Sequence, residues 1–143
     1  MYAKIIDSQP RVFPYNPADL RTENPETSFP ADISDETLAS YGVVPVTATE
    51  KPEFDAKTQR PVSSVRRIGA DWTQSWTLEQ LPEEVASRNI RAERNHRLAV
   101  SDYTQLADAP GDTAAWATYR EQLRNIPAQE GFPFTVTWPT EPS

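Results

Sequence analysis

The fold class follows from residues 71–100, which read DWTQSWTLEQLPEEVASRNIRAERNHRLAV. Within Asp71–Leu78, large or apolar side chains alternate with small hydroxyl side chains, a period of two that is typical of a half-buried strand. The pattern then changes, because Pro82 and the two glutamates behind it suit a first helical turn and the next proline comes only at Pro110. A helix is therefore predicted from about Pro82 to about Val100, directly after a strand.

A second strand is predicted just before this one. Residues 61–68 are β-prone and lead into Gly69-Ala70-Asp71, whose chemistry favours a turn, so the pair forms a hairpin. The segment Val43–Thr47 is also β-prone, and we expect it to join the hairpin in a three-stranded antiparallel sheet. Since Pro45 removes one ladder donor, the joining strand should lie at an edge.

Two tryptophans of the predicted strand bear on function. Trp72 and Trp76 share one face with Gln74 and Leu78. The pattern favours a half-buried core face. The alternative is full exposure of both rings, as a platform on which sugars or peptides stack.

The first 42 residues carry short elements only. Tyr2–Ile6 predicts a short strand, and five prolines within residues 10–30 leave room for no more than a helical turn at Pro17–Arg21. A short helix should follow, capped by Ser34 or Asp35 and ended by a left-handed Gly42.

The last third of the chain predicts a second helix and a closing strand. The helix should run from an Asp112 cap to about Asn125, where Pro127 stops it. Its apolar stripe, which should face the first long helix, consists of Trp116, Tyr119, Leu123 and Ile126. Residues 132–139 alternate aromatic and smaller side chains, which predicts a final strand.

These elements together predict an α+β fold in two parts. Residues 1–80 would form a small, proline-rich part with an antiparallel β-sheet and short helices. Residues 81–143 would form a helical hairpin followed by a final strand. The division falls near Gln80 to Pro82, where the hairpin pattern gives way to the helix.

Composition excludes several classes of function. Among 143 residues there are 14 prolines, 4 glycines and no cysteine, and the hydrophobic share is 37%, so we expect a thin core that a partner completes. The net charge of −7 argues against nucleic-acid binding. No stretch is long and apolar enough to insert into a membrane, and the N-terminus lacks a signal peptide, so we expect synthesis in the cytoplasm.

The sequence contains no catalytic motif and no pattern of metal ligands. The absence of cysteine excludes thiolate chemistry, the single His96 excludes any site with two imidazoles, and four scattered glycines cannot build a phosphate-binding loop. Acidic pairs lie at predicted helix starts, where capping explains them. We therefore expect no enzyme activity and no cofactor.

The predicted long helix has an unusual polar face, because an arginine recurs every three residues at Arg88, Arg91, Arg94 and Arg97. Two interpretations are open: the face is solvated, with Glu84 and Arg88 as an i,i+4 pair, or it binds acidic or backbone oxygen groups of another chain. The residues alone indicate a small, acidic protein that binds another protein.

A longer string of residues carries a family resemblance. It comprises Arg88-Asn89, RNHRLAVSDYTQL at 94–106, DAP at 108–110, AWATYREQLRNIP at 115–127, GFP at 131–133 and VTWP at 136–139. In this order the string resembles the tail assembly chaperone domain of tailed bacteriophages, over Arg88–Pro139. The one departure is Tyr103, where the family usually has tryptophan.

The resemblance implies a phage protein that acts in tail or tail-fibre assembly. Its partner would be an oligomeric tail fibre or another tail protein, met in the host cytoplasm during assembly, and the chain would then leave or stay in the virion tail. The partner-binding residues expected are Arg88, Arg91, Arg94, Arg97, Ser101, Asp102, Tyr103, Trp116 and Trp138. An alternative function is a host-surface module of the virion that binds glycans through exposed tryptophans.

Overall fold

The computed structural model describes all 143 residues, and its internal contacts divide the chain into two units. Unit 1 comprises Met1–Glu53 and Pro61–Thr77, and unit 2 comprises Phe54–Arg60 and Leu78–Ser143. The α+β class is confirmed, because one five-stranded sheet and four α-helices are present. The boundary between residues 80 and 81 stays a prediction.

The elements follow one another in the order of the sequence. They are β1 (Tyr2–Ile6), β2 (Gln9–Tyr15), α1 (Asp19–Glu23), α2 (Asp35–Ser40), β3 (Val43–Thr47), β4 (Gln59–Ile68), β5 (Asp71–Gln80), α3 (Glu83–Val100) and α4 (Thr113–Arg124). Two 3-10 turns accompany the long helices, at Asp102–Gln105 and Ile126–Ala128.

The sheet differs from the one predicted. Its strand order is β2-β1-β3-β5-β4, with β1 antiparallel to both of its neighbours and β3 parallel to β5. The predictions of three antiparallel strands and of β3 as an edge strand are therefore wrong, since β3 is the central strand. Val46 donates its N–H to the carbonyl of Met1 on the β1 side (2.8 Å), so by alternation the nitrogen of Pro45 faces β5. Pairing with β5 begins only at Val46, so the missing donor interrupts neither ladder.

The region of five prolines is also more regular than predicted. β2 passes through Pro10 and Pro14, which it tolerates because it is an edge strand with an irregular register against β1. The turn between the two strands places Asp7 and Ser8 at φ values of 52° and 62°, as a two-residue hairpin turn requires. The predicted helical turn at residues 17–21 lies two residues later, in α1.

Unit 1 encloses a small core between α1, α2 and the sheet. Ser34 caps α2 by accepting the N–H of Thr37 (3.3 Å), and Gly42 ends it at φ +76°, as predicted. Trp72 and Trp76 are half-buried, which excludes full exposure of both rings, and Trp72 packs against buried residues of the sheet, whereas Leu78 on the same predicted face is exposed. The two buried clusters consist of Tyr15, Leu20, Leu38 and Val43, and of Ala3, Val46 and Val65.

Unit 2 holds the two long helices at their predicted positions. Asp112 caps α4 by accepting the N–H groups of Ala114 and Ala115 (both 3.0 Å). The apolar stripe of α4 is buried, and Leu98 of α3 packs against it, together with Trp138.

The predicted final strand is wrong, because no strand forms within residues 132–139. The side chain of Gln129 takes the place of a neighbouring strand there. Its Nε2 donates to the carbonyl of Thr137 (2.8 Å), and its Oε1 accepts the N–H of Thr137 (2.7 Å). One side-chain amide therefore satisfies both backbone groups of this residue, and no ladder is needed.

Candidate partner-binding site

Two of the four helix arginines hold the C-terminal segment of unit 2 against α3. The guanidinium of Arg91 lies over the ring of Phe132, 5.1 Å from its centroid, and that of Arg97 lies over Trp138 at 4.4 Å. A guanidinium on an aromatic face combines cation–π attraction with flat stacking. Part of the predicted binding face therefore packs within its own unit.

The other two arginines are freer to meet a partner. Arg88 is exposed. Arg94 bonds only its neighbour Asn95, whose Oδ1 accepts from Nε (3.1 Å) and from Nη2 (2.8 Å). A contact between adjacent side chains is weak, so either guanidinium can turn to an oxygen of another chain.

Arg97 also forms an ion pair within α3. Its Nε donates to Oε1 of Glu93 at 2.8 Å, in the i,i+4 arrangement. This hydrogen bond holds the pKa of the Glu93 carboxyl below its ordinary value. The pair fixes the guanidinium that stacks on Trp138.

We expect Glu93→Gln to lower the stability of unit 2 by about 0.5 kcal/mol at neutral pH. The folded-state pKa of Glu93 is below that of the unfolded chain, so the ionised carboxyl stabilises the fold above the unfolded pKa. This stabilisation is lost as the pH falls through the folded pKa, and the two proteins should then melt alike. Thermal unfolding as a function of pH measures the difference. Glu130→Gln makes the same exchange at an exposed position and serves as the control.

A buried arginine that the sequence analysis missed organises the end of α3. Nη1 of Arg120 donates to the carbonyl of Leu98 (2.6 Å) and to the hydroxyl of Ser101 (2.8 Å). Nη2 donates to Oδ1 of Asp102 at 2.6 Å. Carbonyls at the end of a helix lack partners within the helix, and a cation beside them also suits the helix dipole.

The sequence does contain a signal for this arginine. Arg120 lies four residues after Trp116 and three before Leu123, so it belongs to the apolar stripe of α4. A charged side chain in a buried stripe needs several hydrogen-bond partners. The segment Ser101-Asp102 supplies them in this fold.

The serine and threonine of the 3-10 turn point inward. The Ser101 hydroxyl donates to the carbonyl of Arg97 (2.7 Å), and Thr104 Oγ1 donates to the carbonyl of Ser101 (2.6 Å). Both side chains are buried. Tyr103 lies between them and points outward, with 53% of its surface exposed.

The two predicted tryptophans of unit 2 are placed differently. Trp116 is buried and meets the ring of Tyr119 edge-on, with centroids 5.6 Å apart. Trp138 is half-buried and lines a surface pocket of about 300 Å³. The pocket is otherwise lined by Gln122, Asn125, Gln129, Thr137 and Pro139.

The structure thus divides the nine residues predicted to bind a partner. Four make mainly internal contacts: Arg97, Ser101, Trp116 and Trp138. The other five keep a surface that a partner could reach: Arg88 and Tyr103 are exposed, Arg94 is half-buried, and Arg91 and Asp102 are exposed although they also contact Phe132 and Arg120. Their contact with a partner stays a prediction.

The fold contains neither a group of metal ligands nor a helix that could span a membrane. No group of three or more histidine, aspartate or glutamate side chains gathers in an arrangement that could hold a metal ion. None of the helices combines the length and the apolar character needed to cross a bilayer.

Comparison with known proteins gives one match, and it covers the region just described. The family model described as phage tail assembly chaperone protein matches residues 87–143. The matched residues include most of α3, the 3-10 turn Asp102–Gln105, α4 and the C-terminal segment. No curated protein matches the chain significantly, and no solved structure does. The resemblance is confirmed over this part of the chain: residues 87–143 match the model of the phage tail assembly chaperone family.

Proposed function

We propose that the chain is an assembly chaperone or capping component for a phage tail fibre, and that it binds the fibre protein through α3 and the segment that follows. The match of the family model to residues 87–143 carries this proposal, since it supports a role in tail assembly. The same match favours a non-catalytic role. The protein would act in the host cell while tails are being assembled.

The physical properties of the chain suit this role. An oligomeric, β-rich fibre exposes strand edges and apolar surface until its assembly is complete, and such surface aggregates unless it is covered. The net charge of −7 keeps copies of this chain apart. On α3, Arg88 is exposed and the half-buried Arg94 bonds only its neighbour Asn95, so both are cations that acidic or carbonyl groups of a fibre would attract.

The test is co-purification with the tail fibre protein of the same phage, co-expressed with the tagged chain. Arg88→Glu with Arg94→Glu should reduce the amount of fibre recovered by about tenfold or more, because it replaces two attractive charges by two repulsive ones. Arg66→Glu with Arg67→Glu makes the same change of charge at exposed positions of unit 1 and should leave recovery unchanged. Equal recovery of fibre with both variants would contradict binding through α3.

Whether the chain stays in the virion after assembly can be measured separately. Mass spectrometry of purified virions at stoichiometric sensitivity would identify a retained tail component by its presence. Absence from virions, with the chain present in infected cells, would identify a chaperone that leaves once the fibre is built.

The glycan-binding alternative has less support from the structure. Trp72, Trp76 and Trp138 are each half-buried, and Trp116 is buried, so no tryptophan presents a fully exposed ring. We therefore propose the assembly role alone. Saturable sugar binding in a tryptophan-fluorescence titration would reverse this choice.

A further inference from the structure

Where α3 ends, hydroxyl side chains are buried and large apolar side chains are exposed. Ser101 and Thr104 are buried, with 2% and 1% of their surfaces exposed, whereas Val100, Tyr103 and Leu106 are 54%, 53% and 59% exposed. In an ordinary surface turn the large apolar side chains would lie inside and the hydroxyls outside. The reversed arrangement leaves apolar surface on display.

The three exposed side chains follow one side of the chain. Val100, Tyr103 and Leu106 are spaced three residues apart. Val100 is the last residue of α3, Tyr103 lies in the 3-10 turn Asp102–Gln105, in which residues i and i+3 eclipse each other, and Leu106 follows that turn. The backbone confirms this winding, since the N–H of Leu106 donates to the carbonyl of Tyr103 (3.1 Å). We call these three exposed apolar side chains, which recur at every third residue, the outer stripe.

The outer stripe rests on a fixed base. Thr104 Oγ1 bonds the carbonyl of Ser101, and Arg120 bonds both Ser101 and Asp102 from the side of α4. The inward hydroxyls thus use their hydrogen bonds to hold the turn in one shape. Because the stripe is already ordered, a partner that covers it loses little conformational entropy on binding.

The surroundings of the outer stripe are acidic. Between Arg97 and Arg120 the sequence contains no basic residue, and it contains Asp102, Asp108 and Asp112. Asp102 and Asp108 are both exposed, and Asp102 is also paired with Arg120, so the charge offered to a partner is mainly that of Asp108. A partner surface that complements the outer stripe carries apolar side chains at its centre and lysine or arginine at its rim. Attraction between opposite charges then speeds the encounter of the two proteins and favours one orientation.

We propose that the outer stripe is the docking surface for an apolar, basic-rimmed patch on the tail fibre protein. This inference rests on the proposed function, and the stripe lies inside the residues that match the chaperone family. Val100, Tyr103 and Leu106 provide the apolar contact, and Asp108 provides a charge contact at the rim. The arginines of α3 would then form a second, separate part of the interface.

The test measures the affinity of purified chain for the purified fibre protein, with Tyr103→Ser and Leu106→Ser combined. Loss of two central apolar contacts should weaken binding about tenfold or more. Both side chains are more than half exposed, so the melting temperature should not change. The matched control is Val12→Ser with Ile68→Ser, which removes apolar side chains that are 46% and 50% exposed in unit 1 and should leave the affinity unchanged.

A second variant tests the charge of the rim. Asp108→Lys should weaken binding several-fold through the association rate, and the loss should shrink as salt is added. Asp32→Lys makes the same exchange at an exposed position of unit 1 and serves as its control.

The possible outcomes separate this inference from the proposed function. If the wild-type chain does not bind the fibre protein, the proposed function fails and the inference fails with it. If the wild-type chain binds and the Tyr103, Leu106 variant binds equally well, the inference alone is overturned. If sedimentation shows that the wild-type chain self-associates and that the variant does not, the stripe belongs to a second copy of this chain, which also overturns the inference.

Discussion

Replacing Arg120 by methionine should lower the free energy of unfolding of unit 2 by about 3 kcal/mol. Methionine fills a similar volume but has no donor, so the carbonyl of Leu98 loses its charged partner in a buried place. The Ser101 hydroxyl and the Asp102 carboxylate lose theirs as well. The buried Nε of Arg120 has no partner, so its removal offsets part of the loss.

The effect should be local to the helices of unit 2, where hydrogen exchange of the amides of α3 and α4 can measure it. Arg120→Lys should recover only a small part of the stability, because one ammonium cannot reach the positions of both guanidinium nitrogens. Arg124→Met is the matched control, since Arg124 is exposed and pairs only with Glu121, and it should change stability by less than about 0.5 kcal/mol. Equal exchange rates in wild type and Arg120→Met would disprove the role given to this arginine.

A second large effect is expected in unit 1. Gly42→Ala should destabilise this unit by about 3 kcal/mol, through two causes that add. Gly42 adopts φ +76°, which is unfavourable for alanine, and a Cβ there would lie 2.6 Å from the carbonyl oxygen of Ile5. That oxygen belongs to the backbone of β1, and the N–H of Ile5 donates to the carbonyl of Gly42 at 2.7 Å. Neither residue can move without breaking this bond.

Gly69 allows the two causes to be separated. It adopts φ +62° in the turn between β4 and β5, but a Cβ there meets no atom within 4 Å. Gly69→Ala should therefore cost only the conformational part, about 1 kcal/mol. Denaturant unfolding of both variants gives the close-contact part by difference. If the two substitutions cost the same, the approach of Ile5 to Gly42 contributes nothing.

Local signals explain why the helices could be predicted from the sequence. Ser34 and Asp112 are side-chain caps, Gly42 ends α2, and the stripe of α4 lies within this helix and the 3-10 turn directly after it. Each of these features acts over a few residues, so the sequence contains all the information needed. The same reasoning located α3, which has no interior proline.

The sheet could not be predicted in this way, because its pairing depends on distant residues. Whether Pro45 breaks a ladder depends on which neighbour its nitrogen faces, and this is decided by the bond from Val46 to Met1. The prediction of a final strand was wrong for a similar reason, since a strand pattern in residues 132–139 forms a strand only if a partner strand is available. Gln129 meets that need with a side chain, which no periodicity reveals.

The sequence indicated the region that the family model matches, but not the contacts that its residues make. The arginine repeat and the Ser101–Leu106 segment both lie where the family match falls. The sequence could not tell that Arg97 stacks on Trp138 or that Ser101 is buried, because both facts depend on packing between elements. Arg120 could have been suspected from its place in the apolar stripe.

The way in which the C-terminal segment is attached has a consequence for how its sequence can vary. It is held at separate points, by the amide of Gln129 on Thr137 and by two arginines of α3 on aromatic rings. A strand would instead be bonded along its whole length, and every residue would be subject to the geometry of the sheet. An exposed side chain such as that of Thr135 can therefore change without loosening the segment, since it is the N–H of Thr135 that bonds the carbonyl of Gly131 (2.7 Å). Exposed side chains in this part of the chain can therefore differ between related sequences while the path of the backbone stays the same.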